Sequence, residues 1–415
     1  MKRSPFNSLL IASVVVAGLI ALPVASVLAN IFSRGTGATW QHLASTVLPD
    51  YVASTLWLCL GVGCGVIVVG VATAWLTAMH EFPGRRFFEW ALVLPLAMPA
   101  YVLAYVYTDF LQFVGPPQTW LREAFDWRRG DYWFPDVRST GGAVAMFVFV
   151  LYPYVYLLAR TAFIERASGM LEAARTLGLG PWRSFLRVSL PLARPAVVAG
   201  ASLALMETLA DYGTVSYFGV QTFTTGIYRA WFSLGDRVAA AQLAASLLAF
   251  VVLLLLLEQT SRGRARFHNT TGRNRPHAEH ALKGGAAVVA LAVCALPLFV
   301  GFVLPAGLLL RLALTEGDAQ FGARFVQLAG NSFLLAGLTA LIAVSLALLL
   351  AYAGRLAKLG IRARLAHLLN RLVGLGYSVP GSVIAVSRLP LRSKTTTPSS
   401  SSSILICLET PGCEV

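Results

Sequence analysis

The stretch that says most about the fold lies between residues 171 and 191 and reads LEAARTLGLGPWRSFLRVSLP. It begins as a short helix in which Ala173 and Ala174 are small enough for the helix to sit closely in a groove of another protein. Glu172 offers a carboxylate to a basic partner. Gly178 suits the left-handed backbone conformation that ends a helix. The sequence therefore predicts a short docking helix followed by a turn.

A second helix is predicted to begin at Pro181, since proline suits the first turn of a helix. Its apolar residues follow helical spacing: Trp182, Phe185, Leu186 and Leu190. Arg183 and Arg187 lie on another side. We expect this helix to lie at the membrane interface with its arginines near lipid phosphates. Pro191 and Pro195 are then expected to redirect the chain into a span.

Apolar runs flank this segment and recur along the chain. Of 415 residues, 57% are hydrophobic and 13% are charged, whereas a soluble domain has about 25% charged residues. The runs are long enough to cross about 30 Å of hydrocarbon, and they must be helices because a lone strand would leave backbone groups unpaired in lipid. We therefore expect an all-α, polytopic helical bundle of about nine spans. The predicted spans are residues 9–32, 51–78, 88–113, 141–162, 193–217, 238–259, 284–312, 329–353 and about 368–387.

The formal net charge of +14 reflects membrane topology rather than nucleic-acid binding. The arginines gather in alternate short segments between apolar runs, namely around Arg85, from Arg166 to Arg194, from Arg262 to Arg275, and from Arg355 to Arg364. The positive-inside rule places these segments, and with them the N-terminus, in the cytoplasm. The first apolar run is longer than the core of a signal peptide, so we expect an uncleaved span.

The chain resembles itself on the two sides of a basic linker at residues 260–283. STLWL at 54–58 opens the second predicted span, and NSFLL at 331–335 opens the eighth. LAMPA at 96–100 and YSVPG at 377–381 follow at corresponding places. This order indicates a parallel duplication about an axis along the membrane normal. The predicted units are a first half at 1–259, the cytoplasmic linker at 260–283, and a partial second half at 284–386.

The apolar pattern stops after Val386, and residues 387–415 form a serine- and threonine-rich, low-complexity tail. The repeat predicts that the ninth helix continues beyond this point. We therefore interpret the tail as the result of a frameshift or premature end that leaves the second repeat incomplete. The alternative is a genuine disordered tail.

Residues 172–191 resemble the EAA loop of binding-protein-dependent ABC importers. That loop has Glu-Ala-Ala, three residues, Gly, nine residues, an aliphatic residue, one residue and Leu-Pro. The matching positions are Glu172, Ala173, Ala174, Gly178, Val188, Leu190 and Pro191. Val188 stands where isoleucine is usual. The resemblance implies an ABC importer permease fold in a bacterial cell inner membrane, with this loop docked on a cytoplasmic ABC ATPase dimer.

The sequence contains no Gly-x-x-x-x-Gly-Lys-Ser/Thr loop, so ATP must be bound and hydrolysed by the partner subunit. No nucleophile–His–carboxylate set indicates an enzyme, and no cofactor of the chain's own is expected. The five cysteines show neither zinc-site nor disulfide-framework spacing. We interpret His268, His277 and His280 as polar linker residues rather than as metal ligands.

Among the ABC importer permeases that the loop resembles, two fused halves are typical mainly of ferric-iron, thiamine and phosphonate permeases. The stretch LMETLADYGTVSYFGVQTFTTGIYRAWF at residues 205–232 resembles the ferric-iron permeases, and the resemblance extends over about residues 1–386. It implies Fe(III) delivered by a periplasmic iron-binding protein. The alternatives are a thiamine or phosphonate permease, a secondary transporter that works without an ATPase, and an inactive truncated product.

Two carboxylates, Glu207 and Asp211, are four residues apart and so share one face of the fifth predicted helix. Because an intramembrane carboxylate usually faces a bundle interior or a water cavity, we expect the pair to line the outer part of a cation path. The alternative is that Glu207 bonds a neighbouring helix and Asp211 meets water. Pro99 and Pro380 are predicted to kink helices beside this path.

An aromatic-rich outer loop at 114–140 is predicted either to receive the binding protein or to form an interfacial belt.

Overall fold

The computed structural model describes residues 5–30, 45–128, 130–166, 178–262, 280–315, 322–356 and 379–386. These residues are almost entirely helical. The helices are α1 Pro5–Asn30, α2 Leu48–Met79, α3 Arg85–Ala91, α4 Ala100–Leu111, α5 Pro116–Phe125, α6 Thr140–Arg166, α7 Pro181–Ser184, α8 Leu190–Ala210, α9 Gly213–Tyr217, α10 Phe223–Tyr228, α11 Arg237–Arg262, α12 Gly285–Leu298, α13 Leu304–Thr315, α14 Ala323–Leu356 and α15 Gly381–Val386. Short segments of other geometry are the 3₁₀ turn Leu94–Ala97 and the π turns Phe185–Ser189, Arg229–Ser233 and Phe299–Val303.

Within the described residues, six helical stretches are long and apolar enough to cross a membrane, and a bent pair would make a seventh. The six are Leu48–Met79, Thr140–Glu165, Trp182–Ala210, Arg237–Thr260, Gly285–Thr315 and Arg324–Ala353. A shorter apolar helix covers Ile11–Val27. The all-α polytopic class is thereby confirmed. Of the ninth predicted span, only residues 379–386 are described, and the predicted tail at 387–415 lies outside the described residues.

The third predicted span, 88–113, is not one straight helix. Arg85–Ala97 and Ala100–Phe125 meet at an angle of 88°. Met98 and Pro99 are both extended there, with ψ of 113° and 137°. A proline has no N–H to donate and disfavours helical geometry in the residue before it. The helix therefore breaks at Pro99 instead of bending gently.

The fifth predicted span, 193–217, is wrong at both ends, because the continuous stretch is Trp182–Ala210. Asp211 leaves the helix in an extended conformation with ψ of 132°. Its carboxylate accepts hydrogen bonds from the Thr214 N–H (2.8 Å) and the Thr214 hydroxyl (3.1 Å). An aspartate that bonds nearby backbone groups competes with helix continuation. The chain accordingly turns into the short helices α9 and α10.

The core of the first half forms where α6 packs between α2 and α8. Both neighbouring helices have a glycine against Val155 of α6, Gly70 on α2 and Gly200 on α8. Small residues let helix backbones approach closely in membranes. Tyr152 and Tyr156 on α6 are fully buried. The Tyr156 hydroxyl donates to the Glu89 carbonyl of α3, and the Tyr152 hydroxyl donates to the Leu92 carbonyl just after α3, at 2.9 Å each.

The start of the second half packs against the first half. Tyr107 of α4 donates its hydroxyl to the Val300 carbonyl at 2.6 Å, and α12 contacts α2 and α3. Two short strands, β1 His80–Glu81 and β2 His280–Ala281, pair in parallel. The sequence did not predict this pairing, which attaches the end of the linker to the loop between the second and third spans. Helix α14 contacts α1 and is otherwise largely exposed.

Candidate functional site

The predicted docking loop is described only in part. Glu172, Ala173 and Ala174 lie outside the described residues. Gly178 has φ of +81°, so the predicted left-handed glycine is confirmed. From there the chain enters α7, the π turn and α8 as one continuous helical stretch.

The prediction that Pro191 and Pro195 redirect the chain into the fifth span is wrong. Both prolines lie within α8, and the π turn Phe185–Ser189 comes directly before it. In this turn the Leu190 N–H donates to the Phe185 carbonyl, five residues back. A proline ring clashes with the carbonyl four residues before it in a regular α-helix. The carbonyl four residues before Pro191 belongs to the wider π turn. Because this turn accommodates the proline ring, the helix continues through Pro191.

The apolar residues of this segment do not share one environment. Phe185 is buried, with 8% of its surface exposed, whereas Trp182 and Leu186 are 68% and 46% exposed. The centroid of the Phe185 ring lies 4.6 Å from the ring centroid of Trp75 on α2 and 6.4 Å from that of Phe163 on α6. Trp75 and Phe163 contact each other edge to face at 5.3 Å. We call these three residues, Trp75, Phe163 and Phe185, the aromatic bridge.

A charged network lies at the same end of the bundle. Glu89 of α3 pairs with Arg85 at 3.3 Å and with Arg160 of α6 at 3.1 Å. Arg85 also donates to the Thr77 carbonyl of α2 at 2.9 Å. The network therefore joins the ends of α2, α3 and α6. The spacing of four residues between Arg85 and Glu89 is a sequence signal for an ion pair, but nothing in the sequence indicated Arg160.

The two carboxylates of the predicted cation path lie at the other end of α8. Glu207 is half-buried in the last turn, and its carbonyl accepts the Asp211 N–H at 3.0 Å. Asp211 is past the helix end, so the two residues do not share a helical face as predicted. Burial raises the pKa of the Asp211 carboxyl, the Thr214 and Val215 hydrogen bonds oppose that rise, and the charge of Glu207 adds to it. Asp211 lies two residues before α9, and its carboxylate accepts hydrogen bonds from the first turn of that helix, which differs from the alternative of simply meeting water.

Threonines surround the segment that follows Asp211. Thr224 donates its hydroxyl to the Asp211 carbonyl at 2.8 Å and contacts the Thr222 hydroxyl at 2.8 Å. Thr222 and Thr225 form a reciprocal cap at the start of α10. Together with the Asp211 cap, these bonds fix the backbone beside the two carboxylates. The threonine run at 222–225 was the available sequence signal, and sequence reasoning missed it.

The two predicted prolines each precede a helix that contacts this segment. Pro99 is followed by α4, which contacts α9, and Tyr101 of α4 lies against Gly213. Pro380 is buried and precedes α15, which contacts α10 and α11. The structure thus brings both proline-led helices to the short helices after Asp211.

The loop that was predicted to lie outside borders a cavity of about 370 Å³ beside α4 and α5. Its lining includes the Tyr132 hydroxyl, which donates to Gln118 at 2.7 Å. Trp120 and Trp133 of the same region are 63% and 86% exposed. Among the residues that the structure describes, no group of three or more His, Cys, Asp or Glu could hold a metal ion.

Residues 66–264 match the family described as "Binding-protein-dependent transport system inner membrane component". The chain is 27% identical to the Fe(3+)-transport system permease protein FbpB 2 of Haemophilus influenzae over 93% of this chain and 72% of that protein. It is 28% identical to the sulfate transport system permease protein CysT of Escherichia coli over 59% of this chain and 88% of that protein. It is also 28% identical to the molybdenum transport system permease protein ModB of Escherichia coli, over 46% of this chain and 82% of that protein.

Proposed function

Because this chain is an ABC importer permease subunit, with residues 66–264 in the family of binding-protein-dependent inner-membrane components, we propose that it carries Fe(III) across the bacterial inner membrane. The ion is delivered by a periplasmic binding protein, and a separate ATPase supplies the energy. The observation that supports Fe(III) as the substrate is the similarity to a ferric-iron permease along 93% of the chain. The sulfate and molybdenum permeases match over 59% and 46%.

The two carboxylates at the end of α8 support a cation over an oxyanion. Glu207 precedes Asp211 by four residues, and the charge of Glu207 adds to the rise that burial causes in the pKa of Asp211. Two negative groups at the outer end of a path attract a hard cation, which prefers oxygen ligands, and repel sulfate or molybdate. The second candidate function is transport of such an oxyanion, which the similarity to the sulfate and molybdenum permeases favours.

The loop around Glu172 is the proposed contact with the ATPase. In this proposal Glu172, Ala173 and Ala174 dock on a cytoplasmic ATPase dimer, and closure of the dimer is passed to α6 and α8, the helices that flank the loop. The N-terminus is cytoplasmic. Residues 1–259 and 284–386 are two related permease units joined by the linker 260–283.

The proposed path runs past Glu207 and Asp211 at the outer end of α8. Pro99 and Pro380 set the directions of α4 and α15, the two helices that contact the segment after Asp211. Alternating access requires that these contacts open on one side at a time. Transport would then depend on ATP and on both carboxylates.

The test measures uptake of radioactive Fe(III), sulfate and molybdate in cells that produce the chain with its ATPase and binding protein. We expect ATP-dependent uptake of Fe(III) alone, and loss of this uptake in Glu172→Ala and in Glu207→Gln/Asp211→Asn. Wild-type sulfate or molybdate uptake would favour the second candidate. Uptake that persists without the ATPase would indicate a secondary transporter, and no uptake of any of the three would indicate an inactive product. The amount of each variant in the membrane is the control for folding.

A further inference from the structure

The described residues on either side of the predicted docking loop, residues 167–180, are joined by contacts between aromatic rings. The chain enters this loop from α6, where Phe163 lies three residues before the helix ends at Arg166. It returns through the π turn, whose first residue is Phe185. Because Phe163 and Phe185 pack on each other and on Trp75, the aromatic bridge holds the two ends of the loop together and fastens both to α2.

Phe185 makes this contact while its neighbours face outward. It is 8% exposed, whereas Leu186 is 46% exposed and Trp182, with its ring 5.4 Å from Phe185, is 68% exposed. Arg183 and Arg187 are also exposed. Phe163 is fully buried. The returning end of the loop is therefore attached to the bundle through one deeply packed ring, and the surrounding side chains are free for contacts outside the bundle.

The backbone at Phe185 adds a second observation. The π turn Phe185–Ser189 lies between α7 and the long α8, so the ring is carried on a widened turn within a continuous helical stretch. Single π turns within α-helices are frequently found at functional sites. Because α8 carries Glu207 in its last turn and is followed at once by Asp211, a displacement at this turn acts directly on the helix that leads to both carboxylates.

We infer that the aromatic bridge is the mechanical joint through which the loop moves the spans. The inference rests on the proposed function, since it assumes that an ATPase pushes and pulls on the loop. Packed aromatic rings transmit displacement because a close-packed interior resists compression. A push on the loop then moves α2, α6 and α8 together at their inner ends. Phe185 is in this sense a positioning residue for transport, which touches neither ATP nor the transported ion.

The test compares Phe185→Ala with Leu186→Ala, its exposed neighbour on the same turn. Each full-length chain is purified with its co-purifying ATPase and binding protein and placed in proteoliposomes. ATP hydrolysis and Fe(III) uptake are both measured, and their ratio is the readout, because a folding defect alone would lower both together. We expect uptake per ATP to fall at least about fivefold in Phe185→Ala, the lower end of typical coupling between sites. Leu186→Ala should keep the wild-type ratio.

Two further variants keep the test decisive. Phe185→Leu preserves an apolar side chain if the alanine variant does not fold, and it should lower the ratio less than alanine does. Trp75→Leu should lower the ratio as well, and the Phe185→Ala/Trp75→Leu double variant should be no worse than the poorer single one, because both remove one joint. The inference that the aromatic bridge is the joint would be refuted by a wild-type ratio of uptake to ATP hydrolysis in Phe185→Ala or Phe185→Leu. Additive losses in the double variant would refute it as well. Absence of ATP-dependent uptake in the wild type would instead overturn the proposed function.

Discussion

The crossing of α6 and α8 at Gly200 offers a direct test of the packing. A Cβ atom at position 200 would lie 2.7 Å from the Val155 Cα and 2.8 Å from the Tyr154 carbonyl oxygen. Both are backbone atoms, which cannot rotate away as the end of a side chain can. Gly200→Ala is therefore expected to push α8 away from α6.

The size of the effect follows from this geometry. Carbon atoms pack at about 3.5 Å or more, so the helices must separate by roughly 0.8 Å at Gly200, and a gap of this size forfeits about a quarter to a half of each dispersion contact. Overpacking of this kind costs about 1–3 kcal/mol. Alanine has the better helix propensity and offsets up to about 1 kcal/mol of this in a helix interior. With the full offset, the net loss of unfolding free energy is about 0–2 kcal/mol.

Gly63→Ala is the matched control. Gly63 is also a buried helical glycine, on α2, but its new Cβ would lie 3.7 Å from the Leu205 methyl groups, which is ordinary contact. The helix-propensity gain is the same at both positions, so the difference between the two variants isolates the crossing. The apparent unfolding temperature of the purified chain should be lower for Gly200→Ala than for Gly63→Ala. Equal temperatures would show that α6 and α8 are not this close.

Two other predictions concern single hydrogen-bonding groups. Burial raises the pKa of Asp211 above 3.8, so the folded protein holds this proton to a higher pH than the unfolded chain does. The contribution of Asp211 to stability is therefore fully present below pH 3.8 and is lost as the pH rises through the folded pKa. Asp211→Asn should remove this pH dependence in thermal unfolding and keep an acceptor for Thr214, and an unchanged profile would contradict the assignment. Tyr107→Phe removes the bond to Val300 and should cost about 1 kcal/mol, whereas Tyr101→Phe, at a side chain 57% exposed, should not. Equal unfolding temperatures would count against the packing of residues 285–315 on the first half.

The sequence predicted the spans well where burial in lipid alone determines the structure. Apolar runs indicated helices at 51–78, 141–162 and 238–259, and the structure has α2, α6 and α11 there with ends extended by a few residues. Lipid leaves the backbone no alternative to helix in such runs. Length and composition are then sufficient to locate a span.

The sequence was less informative where side chains compete with the helix. The run at 193–217 is apolar nearly throughout, yet Asp211 and Thr214 end the helix within it by local hydrogen bonds. Pro99 was recognised as a bend, but the angle of 88° depends on how α4 packs on α9 and α13. At Pro191 the helix continues because a π turn accommodates the ring. Such outcomes depend on tertiary contacts that a periodicity count does not contain.

In the candidate site, too, the sequence predicted features that are local in the chain and missed those that depend on tertiary contacts. The spacing from Glu172 to Pro191 indicated the loop and its partner, because that pattern is local in sequence. The aromatic bridge joins positions 75, 163 and 185, and no short pattern relates them. Helical spacing placed Trp182, Phe185 and Leu186 on one apolar face, whereas the structure buries only Phe185 of the three. Which ring is buried is decided by the positions of α2 and α6.

Helix α6 connects the aromatic bridge with the segment that follows Asp211. Near its C-terminal end Phe163 belongs to the aromatic bridge, and in its middle Val155 is held between Gly70 and Gly200. Just before its first residue, Arg138 donates to the Tyr217 carbonyl at 3.1 Å and lies over the Tyr217 ring. Tyr217 is the last residue of α9, the helix capped by Asp211. Because the close glycine contacts leave α6 little room to slide against α2 or α8, a displacement at the loop must move these three helices as a unit, and the segment after Asp211 is attached to that unit at its far end.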